Sequence, residues 1–414
     1  MRIAVVSDLH LGFAPDAERE NDCYEALQEF FDKTMAQGAD LILIAGDLFD
    51  SKSPRTETWA KTLKSFNRIK RAKSETTLVE GMYKDVQDYK AHDGIPIVAI
   101  HGTHERRGRD LLNPVQVLEH AGLLIHIDRN GVIFEKDVRV AVQGLSGVPE
   151  LFAKDALKKY APQPTPGAFN IFMLHQSIEP YINSFDTTLK MNDLPKGFDV
   201  IVEGHVHFSE RVNMGDCAFI LPGSTVATQI NKSESEISKG FWMIDVKKSE
   251  NGFDKRLEFI KLESQRRVFY SEFAYDGNEE SLKGSIRESL SEILRHAQKK
   301  IPAIRIRVTG GSKQPDFRDI EKEFASKCLL SFSFDLKDAG KEQKISLMKE
   351  IREGRMSVSE LGMALLQKNL EILEFKNFFD VETAYSLLSE SELEQAISLL
   401  IGRQKTLKKF GGME

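Results

Sequence analysis

The sequence predicts a mixed α/β (α+β) fold. Short apolar runs ending in a glycine, a carboxylate or a histidine recur between residues 3 and 246, and segments with helical spacing lie between them. The clearest run is LILIAGDLFD (41–50), apolar from Leu41 to Ala45 and then Gly46-Asp47. A run with no polar face suits a strand buried on both sides, and the glycine lets the backbone turn sharply after it. Ligands of open α/β sheets gather just past the carboxyl ends of strands, which is where Asp47 falls.

The elements follow in order. IAVVSDLH (3–10) reads as a strand ending in Asp8-x-His10. Residues 16–38 place Tyr24, Leu27, Phe30, Phe31 and Met35 at helical spacing, with Gly38 as the stop. After the central run, Ser53-Pro54 is expected to cap and open a helix, and residues 56–92 read as helical and polar. The basic run 68–73 within them reads as a solvated helix face. IPIVAIHGTHERRGR (95–109) is a strand delivering Thr103-His104, and shorter strands are expected in 132–147. FNIFMLHQS (169–177) delivers His175, and DVIVEGHVH (199–207) delivers His205-x-His207. CAFILPGST (217–225) and KGFWMIDV (239–246) read as further strands.

Composition excludes several classes. A chain of 414 residues is too long for one core, and 41% hydrophobic with 29% charged residues is ordinary for a globular protein. Cys23, Cys217 and Cys328 are scattered, so neither a thiolate zinc knot nor a disulfide framework is expected. No apolar stretch approaches the roughly 20 residues of a membrane helix, and Met1 leads directly into a strand without a signal peptide. The expectation is a cytoplasmic protein with no membrane association. A net charge of −6 argues against uniform nucleic-acid coating but allows a local basic cleft.

Among the 10 histidines, His10, His104, His175, His205 and His207 sit directly behind apolar runs; His92, His101, His120, His126 and His296 do not. Alternation puts His205 with His207, and Asp8 with His10, on one face. Mixed His and Asp donors without thiolates suit Mn²⁺, Fe²⁺ or Zn²⁺. The supply exceeds one ion's needs, so two ions about 3.5–4 Å apart, sharing Asp47, is the economical reading.

This series, D-x-H, GD, G-x-H-E, a lone His and GHVH, resembles the calcineurin-like metallophosphoesterases. Within them VSDLHLG, AGDLFD, IVAIHGTHERRG, GHVH and ILPGST resemble the meiotic-recombination-eleven (SbcD-like) nucleases of DNA break repair, archaeal type. The resemblance implies a two-sheet metallophosphoesterase sandwich flanked by helices. It implies one metal held by Asp8, His10, Asp47 and His207, a second held by Asp47, His175 and His205, and His104 as the catalytic histidine that protonates the leaving 3′-oxygen. It further implies two divalent metal ions, Mn²⁺, and a homodimer built through helices of 56–70 and 110–121. There Trp59, Leu63, Phe66, Leu111, Leu112, Val115 and Leu118 exceed what one layer against a sheet requires. The substrates would be double-strand DNA ends and single strands, making the protein nucleoid-associated.

Two positions depart from that pattern. Gly102-Thr103-His104 stands where Gly-Asn-His is usual, so a water between Thr103 and the second ion, and weaker binding there, is expected. Asp50 stands where the family has His; it adds repulsion toward phosphate or holds a water, and its other reading is a loop cap before Ser53.

Three domains are expected: a metallophosphoesterase nuclease domain (1–263), a capping DNA-binding domain (264–340) and a linker with a helical module (341–414). The second reads as a βαββ unit, with Arg305 and Arg307 on one strand face. In the third, a charged linker holds two capped helices, opened by Ser357-x-x-Glu360 and Ser389-x-x-Glu392, away from the catalytic core. Their apolar residues, Leu361, Met363, Leu365, Leu366, Phe375, Phe378 and Phe379 with Ile397, Leu399, Leu400 and Ile401, are implied to grip a Rad-type (SbcC-like) ABC ATPase. No Walker A signature occurs in the chain itself. The function implied is a 3′→5′ exonuclease and single-strand endonuclease. The alternatives are another phosphatase or phosphodiesterase of the superfamily, or a structural subunit that holds DNA ends.

Overall fold

The computed structural model describes residues 1–336 except 83–93, 109–110, 183–187, 251, 296–299 and 312. Beyond them it describes 363, 366, 380–389, 392, 395–397 and 399. His92, His296, the linker and most of the expected C-terminal helices lie outside the described residues.

The chain divides into two compact units: Met1–Thr225 with Lys239–Glu263 and Ser357–Glu414, and Val226–Ser238 with Ser264–Met356. The first begins β1 (Arg2–Val6), α1 (Asp22–Ala36), β2 (Leu41–Ala45), α2 (Thr56–Lys70), β3 (Thr77–Met82), β4 (Ile97–Ile100), α3 (Pro114–His120) and β5 (Ile125–His126). It continues β6 (Asn130–Glu135), β7 (Arg139–Leu145), α4 (Ala153–Tyr160), β8 (Phe169–Leu174), a ribbon of β9 (Ile178–Glu179) with β10 (Leu189–Lys190), and β11 (Val200–Glu203), β12 (Glu210–Met214) and β13 (Cys217–Leu221). The hairpin β14 (Gly240–Ser249) and β15 (Gly252–Lys261) returns to pair with β1.

Two sheets result, ordered β15-β14-β1-β2-β4-β5 and β12-β13-β11-β8-β7-β6-β3. Alternate residues of each strand, such as Ile3, Val5, Leu41, Leu43 and Ala45 from one and Val140, Val142, Ile171, Met173, Val200 and Val202 from the other, share a single core. The intervening residues are buried as well, which is why LILIA shows no polar face. On α1, Phe30 meets Phe241 of β14 edge-on at 4.9 Å and Phe31 meets Phe66 of α2 at 5.4 Å, so helix spacing becomes sheet cover.

The second unit holds α5 (Lys232–Glu236), β16 (Val268–Tyr275), α6 (Glu279–Leu294), β17 (Ala303–Gly310), α7 (Arg318–Phe324) and β18 (Leu329–Asp335). Its sheet, β16-β17-β18, is all parallel. Parallel neighbours need a crossover, and α7 supplies the second one, which the βαββ reading of the sequence missed.

Other differences from the sequence expectations have physical causes. The polar helix expected over 56–92 stops at Lys70; Thr77–Met82 pairs antiparallel with β6, so tertiary pairing decides that segment. Helix α2 opens at Thr56 rather than behind Ser53-Pro54, with Arg55 at its N-cap and no side-chain cap. The described C-terminal residues, including α8 (Val381–Ser389), belong to the first unit rather than being held off by a linker. Ser389 closes α8 by donating its hydroxyl to the Ser386 carbonyl, and Glu392 N–H goes to Leu387 O rather than to a Ser389 cap, while the described residues 395–397 are helical as expected.

Truncating a ring at the α1–sheet contact tests this packing. Phe30→Ala is expected to lower unfolding stability by about 3–5 kcal/mol in a denaturant titration; a loss below about 1 kcal/mol would show that α1 does not carry that layer.

Candidate metal centre

The site is set by two loops that keep the parallel register of β1 and β2 after the strands end. Asp8 N–H donates to Gly46 O (3.1 Å), His10 N–H to Asp47 O (3.1 Å) and Leu11 N–H to Leu48 O (2.9 Å). Asp8, His10, Asp47 and His205 all adopt positive φ (52°, 47°, 46° and 71°), a region costly for residues with a Cβ. Four non-glycine outliers around one point mark where the fold spends strain. Glycines clear the remaining space. A Cβ on Gly46 would overlap the His175 ring, and one on Gly102 would overlap the Asp47 carboxylate.

Each predicted ligand comes to this place. Asp8, His10 and His207 form one group whose donor atoms lie within 4.8 Å of one another, and Asp47, His175 and His205 form another. Asp8, His10, Asp47 and His175 are at most 1% exposed. Asp8 Oδ2 accepts His205 N–H (3.1 Å) and the Ser7 hydroxyl. His10 Nε2 faces His207 Nε2 at 3.2 Å. The PGST turn braces the rim: Ser224 N–H donates to His207 O (3.1 Å) and Thr225 N–H to Asp8 O (3.2 Å).

The donor set fits divalent ions. His175 Nδ1–H donates to the Ala45 carbonyl (2.8 Å), which leaves Nε2 as a lone pair directed at Asp47 Oδ2, 3.1 Å away. Neither His175 Nε2 nor the buried Asp8 Oδ1 has a hydrogen-bond partner among the described residues. Lone pairs converging in a dry site repel unless positive charge lies between them. Without an ion a proton serves. Burial alone would lower the His175 imidazole, but the Asp47 carboxylate overrides it and raises it to about 10. Burial likewise works against the Asp47 carboxylate, and His175 holds it well below the usual range. Burial takes His205 down to about 4, keeping it a neutral donor.

His104 is placed differently. Its N–H donates to Asp47 Oδ1 (2.9 Å) and its Nδ1 to the Asp50 carbonyl (3.1 Å), while its side chain is 45% exposed at the rim. The ring meets His10 edge-on at 4.9 Å. Thr103 Oγ1 lies 3.4 Å from Asp47 Oδ2.

Three features escaped the sequence. Asp50 Oδ1 accepts from His10 Nδ1 (3.0 Å) and so orients that ring through its far nitrogen, neither a loop cap nor a free repulsive charge. Glu105 is fully buried and accepts Phe49 N–H (2.8 Å) and Gly102 N–H (2.9 Å), clasping the two loops together. Burial, then the Asp47 charge, push its carboxyl up to about 8. Glu203 accepts Gln176 N–H (2.8 Å) behind His175. The signal for Glu203 was an acid inside an apolar strand run. His101 and His126, read as ordinary, face each other at 3.0 Å.

Residues 1–209 match the model of the calcineurin-like phosphoesterase family. A double-strand break repair protein MRE11 of Encephalitozoon cuniculi is 29% identical over 307 residues, covering 69% of this chain and 52% of its own. A DNA double-strand break repair protein Mre11 of Methanopyrus kandleri is 27% identical over 311 residues, covering 69% and 62%. The chain thus spans between half and two thirds of these relatives. Among solved structures, a putative 5′-nucleotidase from Staphylococcus aureus aligns over 71% of this chain and 58% of its own at 15% identity and a TM-score of 0.39.

Thr103 offers a direct test of the donor count. Thr103→Asn extends a carbonyl toward the Asp47 group and is expected to tighten a second divalent ion in a calorimetric Mn²⁺ titration. An unchanged isotherm would mean that Thr103, alone or through water, already fills that position.

Proposed function

The chain belongs to the calcineurin-like phosphoesterase family, and we propose that within it the protein is a two-metal DNA nuclease acting on double-strand breaks. The observation that carries the reading is the convergence of two His/Asp donor groups with a half-exposed histidine on their open side. The break-repair names of its relatives support the substrate. In this reading Asp8, His10, Asp47 and His207 would hold one manganese ion and Asp47, His175 and His205 the other.

Ions held by these residues would supply positive charge against a phosphodiester and acidify a bound water. The residues do the rest. Asp50 and the Ala45 carbonyl fix the His10 and His175 rings through their far nitrogens, so the donors need no reorganisation. His104, with Nδ1 held on the Asp50 carbonyl, would pass a proton from Nε2 to the leaving 3′-oxygen. Residues 264–340, which fall in the second unit, would form the capping DNA-binding domain. By register Tyr270, Arg305 and Ser331, then Glu272, Arg307 and Ser333, line one face of its sheet.

The decisive assay is manganese-dependent digestion of labelled single- and double-stranded DNA by the full chain; no cleavage of either would overturn the reading. In that assay His104→Ala is expected to keep manganese and lose about 10²–10⁴-fold in rate. Cleavage at the parental rate would remove His104 from the chemistry.

Partners form part of the same proposal. Of the residues named for pairing, Phe66, Val115 and Leu118 are buried and serve the core instead, but Leu111 and Leu112, with Val117 beside them, are 46%, 53% and 39% exposed, which supports pairing with a second copy. Leu388 and Ile397 are 45% and 52% exposed in the C-terminal module (341–414), which supports docking on an SMC-like ATPase. Size-exclusion chromatography with light scattering, for the chain alone and mixed with such an ATPase, is expected to give a dimer and a complex holding two copies. A monomer alone, or no co-elution, would count against each in turn.

A further inference from the structure

The C-terminal segment reaches the loop that carries His104. Arg106 Nε donates to Glu392 Oε1 at 3.0 Å, and both side chains are 4% exposed although 286 residues separate them. Burying such a pair costs desolvation on both sides, so a sequence gains little stability from it over apolar contact. What it does give is a fixed position. Glu392 is itself held in place: its N–H donates to the Leu387 carbonyl (2.7 Å), and its Oε2 accepts from the Gln395 side chain (2.9 Å). Ala384, Leu387 and Ala396 of the same segment are buried, and α8 contacts the turn Glu150–Phe152.

The other end of the pair sits in a short stretch with successive anchors. Gly102 N–H is held by the Glu105 carboxylate, His104 N–H by Asp47, and Glu105 also takes Phe49 N–H. Arg106 is where that stretch leaves the site, and beyond it the chain borders an open cavity of ≈ 1170 Å³ lined in part by Arg107, Leu112, Phe152, Leu387 and Leu399. The loop therefore has dense contacts on the site side and a cavity on the other, bridged by the Arg106–Glu392 contact.

We propose that Glu392 is a positioning residue for the catalytic loop, and that the C-terminal segment braces Gly102–Arg106 from behind. The segment then has two roles for one stretch of chain. Any partner that lifts it from the core loosens the loop presenting His104. The effect on turnover rests on the nuclease reading above; the effect on the loop does not.

The test uses the full chain and the variants Glu392→Gln and Glu392→Ala. Backbone hydrogen exchange of peptides covering 101–107 is measured beside kcat and KM for manganese-dependent cleavage of bis-p-nitrophenyl phosphate. Both variants are expected to speed exchange at Gly102–Arg106 and to lower kcat by about tenfold or more at unchanged KM, since misplacement of a reacting group by about 1 Å can cost 10²-fold. Parental exchange and parental kcat in both would overturn the proposal. Faster exchange spread over the whole unit would overturn it too, because that is loss of stability and not loss of position. If Glu392→Ala does not fold, Glu392→Gln, which keeps the side chain's shape, decides. If the parental chain cleaves nothing, the nuclease reading fails while exchange at 101–107 still judges the brace.

Discussion

The register between β1 and β2, continued past their ends, is the constraint on which the site depends. Hydrogen bonds from Asp8, His10 and Leu11 to Gly46, Asp47 and Leu48 run two loops side by side past the strand ends. That places Asp8 and His10 opposite Asp47 without any side chain having to reach. The third loop, from β4, is drawn in by Glu105, and the fourth and fifth deliver His175, His205 and His207 from neighbouring parallel strands of the other sheet. Two sheets that bury one shared core therefore also focus their strand ends on one point.

Much of this was legible because strand burial and ligand placement write themselves locally. An apolar run followed by Gly-Asp or Gly-His states both the strand and what it delivers, and Leu41–Ala45 is buried at every position. Contacts made between distant segments were not legible. Asp50 looked like a loop residue because nothing in FDSKSP indicates the His10 nitrogen 3.0 Å away. Thr77–Met82 looked helical because its neighbours do, and only β6 makes it a strand. Helix α7 follows from the handed crossover that a parallel pair demands, a rule about topology that spacing alone does not carry.

The C-terminal region shows a further kind of illegibility. Ser389-x-x-Glu392 has the form of a capping box, and in isolation Glu392 would close on a helix N-terminus. Arg106 offers its carboxylate a charged partner in a dry place, and that interaction is the one the fold uses. A local pattern states what a residue can do, and burial selects among the options.

The left-handed backbone at Asp8, His10, Asp47 and His205 also grades which replacements the site can inherit. Asp, Asn and His occupy that region several-fold more readily than other residues with a Cβ, and branched side chains hardly at all. A drift from Asp to Asn at position 8 or 47 changes charge with little conformational cost, whereas valine or isoleucine would fail twice, as a donor and as a turn. Backbone geometry thereby channels variation at these four positions toward side chains that still carry a lone pair.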